Sequence, residues 1–163
     1  MALYVAKTPT VTNKFASLHN HPGNGPQSSG DIYGFIDMVT NNSSFETNYV
    51  VTSDGTVYAL IITDLTAAKK FNTDYPSVPG VNGYEPTFPE AVSSEYYDII
   101  QQQKGLYEKT PQEANEIAIT YILSKYKAGV ALLKQDTDGN FKRLNTEYNS
   151  NGNNNPYTIK KCQ

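Results

Sequence analysis

Residues 17–31 of the chain are Ser17-Leu18-His19-Asn20-His21-Pro22-Gly23-Asn24-Gly25-Pro26-Gln27-Ser28-Ser29-Gly30-Asp31, and we expect this segment to decide both the fold and the site. It holds the only two histidines of the chain, two residues apart. Side chains alternate between the faces of a strand, so a strand that ends here places His19 and His21 on one face. The two imidazoles then converge on one point.

The residues that follow can bring a carboxylate to the same point. Pro, Gly and Asn between 22 and 27 favour a loop, and Ser28 or Ser29 can cap a helix that carries Asp31 in its first turn. Two histidine nitrogens and one carboxylate oxygen, with a fourth position for water, are the ligand set of a catalytic zinc site. We therefore predict a Zn²⁺ site at His19, His21 and Asp31; an incidental surface cluster is the alternative interpretation.

This pattern resembles the JAMM (JAB/MPN) metallopeptidase family, whose signature is His-x-His, a short loop and Ser-x-x-Asp. The matching residues are His19-Asn20-His21-Pro22 and Ser28-Ser29-Gly30-Asp31, and the likeness is to bacterial branches such as RadC-like proteins and toxin-associated JAB domains. It covers roughly residues 3–63. The resemblance implies a JAB/MPN, cytidine deaminase-like sandwich and zinc-dependent hydrolysis of peptide or isopeptide bonds. It also implies an oxyanion-stabilising serine, for which we choose Ser28, with Ser29 as the alternative and helix capping as a second role for Ser28.

The sequence departs from the family pattern in two ways. Six residues separate His21 from Ser28, one fewer than in the family, and starting from Ser29 leaves only Gly30 before Asp31. The general-base Glu of the family lies upstream of His-x-His, but residues 1–18 contain no acidic residue. We favour a base upstream of this chain over a replacement, for which the candidates are the eight glutamates of the chain: Glu46, Glu85, Glu90, Glu95, Glu108, Glu113, Glu116 and Glu147. Of these we would inspect Glu85 and Glu90 first.

Composition limits the possible partners. The 163 residues fit one domain, and a net charge of −3 lacks the basic footprint of a nucleic-acid-binding protein. No apolar run is long enough to cross a membrane, and a single cysteine allows no internal disulfide. We therefore expect a soluble domain with a peptide or protein substrate. From the abrupt start of the chain we expect a segment of a longer, secreted protein, in which the domain lacks its N-terminal portion.

The hydrophobic pattern predicts an α/β (α+β) fold, a mostly antiparallel sheet packed against helices. The central strand is expected within Val57–Ile62, a run that is apolar on both parities and so covered on both faces. The predicted strands are Leu3–Lys7, Lys14–Leu18, Thr47–Ser53, Thr56–Thr63, Val130–Gln135 and Phe141–Asn145. The predicted helices are Asp31–Asn41, Asp64–Phe71, Glu90–Gln103 and one from Pro111 towards Gly129, where Thr110 to Glu113 form a capping box.

Two segments outside this pattern have separate interpretations. Residues 1–148 are predicted to form the domain, and the polar residues 149–163 a C-terminal tail. The Pro/Gly/Tyr-rich stretch 72–89 is either a surface loop or one that covers a substrate.

Two classes of function therefore follow from the sequence. The first is a JAMM-type zinc metallopeptidase, or isopeptidase, domain that serves as the effector part of a larger, toxin-like protein. The second is a non-catalytic JAB-like module that binds a protein partner and has lost the general-base Glu.

Overall fold

The structure, a computed structural model, describes residues 14–80, 86–150 and 154–161. The predicted strand Leu3–Lys7 and the candidate base Glu85 lie outside these ranges. The described strands are β1 (Ala16–His21), β2 (Thr47–Thr52), β3 (Val57–Ile62), β4 (Val78–Pro79), β5 (Pro86–Thr87), β6 (Val130–Gln135), β7 (Phe141–Tyr148) and β8 (Tyr157–Lys161). The helices are α1 (Ser29–Asn41), α2 (Leu65–Asp74), α3 (Glu90–Leu106) and α4 (Pro111–Lys125).

Six strands form the main sheet in the order β1-β2-β3-β6-β7-β8. Only β1 and β2 are parallel, since helix α1 connects them as a crossover; the other pairs are antiparallel. The prediction of a mixed α/β protein with a mostly antiparallel sheet and packed helices is confirmed.

Strand β3 lies in the interior of the sheet, between β2 and β6, as predicted for Val57–Ile62. Tyr58 and Leu60 are fully buried and share a core cluster with residues of all four helices, whereas Val57 and Ile61 are half-buried. The helices pack on the face of Tyr58 and Leu60. Burial of the second face is therefore less complete than the apolar run predicted.

The helices begin where the sequence signals indicated. Ser28 caps α1 and Thr110 caps α4, and each forms a complete capping box with the residue three positions later. Asp64 caps α2 through the Ala67 amide. Helix α2 continues to Asp74, so it takes in the first residues of the stretch predicted as the loop 72–89.

The C-terminal segment contributes more structure than a tail. Residues Tyr157–Lys161 form β8, which pairs with β7 and completes the sheet at that side. Its alternating residues Tyr157 and Ile159 pack against the core clusters. The sequence analysis missed this strand because it is only five residues long and directly follows the polar segment 149–155.

Candidate metal centre

The parallel pairing of β1 with β2 determines where the two histidines point. His19 is the register partner of Val50 and His21 of Thr52, and both partners are buried. Val50 pairs in turn with Tyr58, whose side chain packs against the helices. Residues that pair directly in adjacent strands share a face. His19 and His21 therefore lie on the helix-covered face, at the end of β1 where helix α1 begins.

The three predicted ligands meet at this point. The Nε2 atoms of His19 and His21 are 3.2 Å apart, and they lie 3.0 Å and 3.2 Å from Oδ1 and Oδ2 of Asp31 respectively. Ligand atoms about 2.0–2.1 Å from a tetrahedral zinc ion stand roughly 3.3 Å from one another. The separation of the two Nε2 atoms and that of His19 Nε2 from Asp31 Oδ1 match the edges of such a site. Among the described residues this is the only group of three metal-ligating side chains that lie close enough to hold one ion.

The donor set itself calls for a positive charge at its centre. Three electron-pair donors that point at one another repel unless protons or a cation lie between them. Burial raises the pKa of Asp31, but hydrogen bonds from His19, His21 and the Ser28 amide outweigh burial and hold the pKa well below its ordinary value. The hydrogen bond with Asp31 likewise raises the pKa of His21. A proton on this imidazole supplies the charge that a metal ion would otherwise supply.

The loop between β1 and α1 fixes the orientation of His21. Its Nδ1 lies 3.3 Å from the carbonyl oxygen of Gly25, and a carbonyl can only accept, so Nδ1 carries the proton. In the neutral ring the lone pair is then on Nε2, the atom that faces the other ligands. The hydrogen bond to the loop therefore fixes the tautomer of His21 that metal binding requires.

The capping box of α1 fixes the orientation of Asp31. Its Oδ2 accepts hydrogen bonds from the Ser28 amide, at 2.7 Å, and from the Ser28 hydroxyl, at 2.8 Å. Oδ1 faces His19 and has no such donor from the cap. We therefore assign Oδ1 as the ligand atom and Oδ2 as the atom that anchors the carboxylate to the helix N-terminus.

The structure defines the surroundings of the two candidate oxyanion serines. The Ser28 hydroxyl donates to Asp31 and its oxygen accepts from the Asp31 amide at 3.2 Å, so the predicted capping role is present. An oxyanion role requires this hydroxyl to rotate away from the carboxylate. Ser29 Oγ donates instead to Thr87 Oγ1 at 3.3 Å, which attaches the β4–β5 ribbon to the start of α1.

Sequence reasoning missed the buried residues that hold the site loop. Gln27 is 2% exposed and its amide donates to the Asn48 carbonyl oxygen at 3.0 Å, which ties the loop to β2. Asn48, 3% exposed, donates to Ser17 Oγ at 2.8 Å. Each amide leaves one buried oxygen without a hydrogen-bond partner. A glutamine next to a turn-rich segment carries no pattern that predicts burial, so no sequence signal was available.

The glutamates differ in their surroundings, and none of those described belongs to the ligand cluster. Glu116 is buried and accepts from Tyr58 and Lys134, and Glu113 is held in the α4 cap. Glu95 and Glu147 pair with Lys125 and Lys160. Glu46, Glu90 and Glu108 are exposed, as is Glu147.

No protein-family model, curated protein or solved structure matches the chain. The described helices include none with the length and apolar character needed to cross a membrane. Fold and site together define a mixed α/β protein with a two-histidine, one-carboxylate cluster at the start of its first helix.

Proposed function

We propose that this chain is a zinc-dependent peptide or isopeptide hydrolase domain of the JAMM type, with His19, His21 and Asp31 as the metal ligands. The observation that carries the proposal is the convergence of these three side chains: the two Nε2 atoms lie 3.2 Å apart, and each lies within 3.2 Å of one oxygen of the Asp31 carboxylate. A JAB-like sandwich is part of the same proposal, and the β1-α1-β2 crossover that unites His-x-His with Ser-x-x-Asp supports it.

The proposal gives each residue of this site a distinct role in binding the metal ion or the substrate. When bound, zinc supplies Lewis-acid activation of water and of the scissile carbonyl. His19 and His21 contribute neutral imidazoles, and Asp31 contributes the one negative charge of the set. Ser28 holds Asp31 in place, and its hydroxyl is the nearest candidate donor to an oxyanion once it rotates. The side chains of His19 and His21 are 36% and 21% exposed, which leaves a substrate access to the cluster.

The absence of a glutamate from the cluster, among the described residues, favours a second candidate function. A JAB-like module without its general base would bind metal and a protein partner but would not turn over substrate. General acid–base catalysis contributes about 10²–10⁴-fold, so a chain that lacks the base is expected to hydrolyse peptides slowly.

One experiment tests both candidates. Zinc content and hydrolysis of peptide and isopeptide substrates are measured on the purified chain and on His21→Ala. We expect about one zinc per chain, lost in His21→Ala. The affinity should fall as pH drops through the pKa of His21, which Asp31 raises above its ordinary value, because both imidazoles must be neutral to bind a metal ion. Turnover that depends on His21 identifies the hydrolase, and zinc without turnover identifies the binding module. A folded chain that holds no zinc contradicts both.

A further inference from the structure

Two buried side-chain oxygens without a hydrogen-bond partner lie next to the metal cluster. They are Gln27 Oε1 and Asn48 Oδ1, and within the described ranges no other buried side-chain oxygen or nitrogen atom lacks a partner. A buried polar atom without a partner lowers the stability of a protein, so each instance needs an explanation. Gln27 directly precedes Ser28, the N-cap of α1, and Asn48 lies in β2, the strand that pairs with the histidine-bearing β1.

The same two amides hold three parts of the site together. The Gln27 amide donates to the backbone oxygen of Asn48 at 3.0 Å, and the Asn48 side-chain amide donates to Ser17 Oγ at 2.8 Å. Ser17 is two residues before His19 on β1, so alternation along the strand places the two side chains on the same face. These two hydrogen bonds therefore join the site loop to β2 and β2 to β1 close to the ligand His19.

Gln27 lies between the two loop groups that orient the other ligands. The carbonyl oxygen of Gly25, two residues earlier, is 3.3 Å from His21 Nδ1, and the amide of Ser28, the next residue, donates to Asp31 Oδ2 at 2.7 Å. A displacement of residue 27 from β2 would therefore move both groups relative to β1. Metal affinity depends strongly on the residues that orient the ligands.

Natural proteins keep an unfavourable local feature mainly where a functional site needs it. We propose that Gln27 is a positioning residue of the metal centre, which holds the site loop at the distance from β2 at which His19, His21 and Asp31 share one metal ion. The inference rests on the proposed function, because it concerns metal binding by these three ligands. The hydrogen bond to β2 serves the metal centre, and the unpaired Gln27 oxygen is its cost in stability.

The test compares Gln27→Met with Gln103→Met, since the chain contains two buried glutamines. Gln103, on α3, exchanges two hydrogen bonds with Asn155, at 2.9 Å and 2.6 Å, just before β8 at the opposite edge of the sheet from β1. Methionine keeps the approximate size of the side chain and removes the amide. Gln103→Met should therefore lower the urea midpoint of the metal-free protein more than Gln27→Met does. Only Gln27→Met should weaken zinc binding in chelator competition, by about 10–100-fold.

Cobalt(II) in place of zinc supplies a second measurement, because its visible absorption spectrum depends on the coordination geometry. We expect the cobalt spectrum of Gln27→Met to differ from that of the parent chain and the spectrum of Gln103→Met to match it. If Gln27→Met shows no cooperative unfolding transition, Gln27→Asn takes its place. This variant keeps the amide on a side chain one methylene shorter, and we expect it to lose zinc affinity as well.

The inference is overturned if the folded Gln27 variant binds zinc as tightly as the parent chain, or if Gln103→Met weakens zinc binding equally. It is also overturned if Gln27→Met loses as much stability as Gln103→Met, since the Gln27 amide would then serve the stability of the fold. A parent chain that folds but binds neither zinc nor cobalt refutes the proposed function and this inference with it. Zinc binding that is insensitive to residue 27 refutes the inference alone.

Discussion

Substitution of Ser28 by alanine separates the capping role of this residue from its role at the metal cluster. The hydroxyl accepts from the Asp31 amide and donates to Asp31 Oδ2, so Ser28→Ala deletes two hydrogen bonds of the α1 capping box. Loss of an N-cap typically costs about 1 kcal/mol of the free energy of unfolding. Loss of a hydrogen bond that orients a metal ligand typically weakens metal affinity about 10–100-fold.

The chain contains a matched control for this experiment. Thr110 forms the same capping box with Glu113 at the start of α4, and the hydroxyl of Thr110 makes the same pair of contacts. Thr110→Ala should therefore cost a similar free energy of unfolding, about 1 kcal/mol, without a change in zinc affinity. Ser28→Thr, which keeps the hydroxyl, should retain the stability and the zinc affinity of the parent chain.

The assays are urea denaturation of the metal-free protein and chelator competition for zinc. The reasoning predicts equal losses of stability in the two alanine variants and a loss of zinc affinity in Ser28→Ala alone. Equal zinc affinity in the two alanine variants would refute the assignment of Ser28 as the residue that positions Asp31. A large stability loss in Ser28→Ala alone would show that the α1 cap does more than the contacts described.

The remaining predictions concern stability. Gly129→Ala should destabilise the fold by roughly 1–3 kcal/mol, because φ is +64° and an added Cβ would lie 2.2 Å from the Asp64 carbonyl oxygen, whereas Gly23→Ala, with open space around it, should change the urea midpoint little. Glu116→Gln should lower the free energy of unfolding by about 1–3 kcal/mol, since it leaves Lys134 without its carboxylate in a largely buried setting. Glu147→Gln, whose partner Lys160 is exposed, should change it by no more than about 0.5 kcal/mol. Similar urea midpoints for the two variants would contradict this ranking. Burial raises the pKa of Tyr33 to about 12, so its contribution to stability is complete below pH 10 and is lost as pH rises from 10 to 12. Tyr33→Phe should flatten that part of the curve of stability against pH. An unchanged slope in this variant would show that the loss of stability does not come from Tyr33.

Local sequence patterns were sufficient to locate most elements. The Ser28 cap of α1, the apolar run Val57–Ile62 and the capping box at Thr110 each depend on residues close together in the chain, so the sequence alone can predict them. The ligand set was also accessible, because alternation along a strand and the first turn of a helix fix how His19, His21 and Asp31 can meet. Whether they bind zinc stays a prediction.

Only the tertiary structure decided how these pieces are held in place. Three contacts join elements that the sequence patterns do not connect: the burial of Gln27 against β2, the contact of Ser29 with Thr87 and the pairing of β8 with β7. No periodicity encodes such contacts, since they depend on which faces meet once the core has packed. The sequence by itself determined which side chains could bind a metal ion. The packing of α1 against β1 and β2 determined that the imidazole nitrogens and the Asp31 carboxylate lie about 3 Å apart, close enough to share a metal ion.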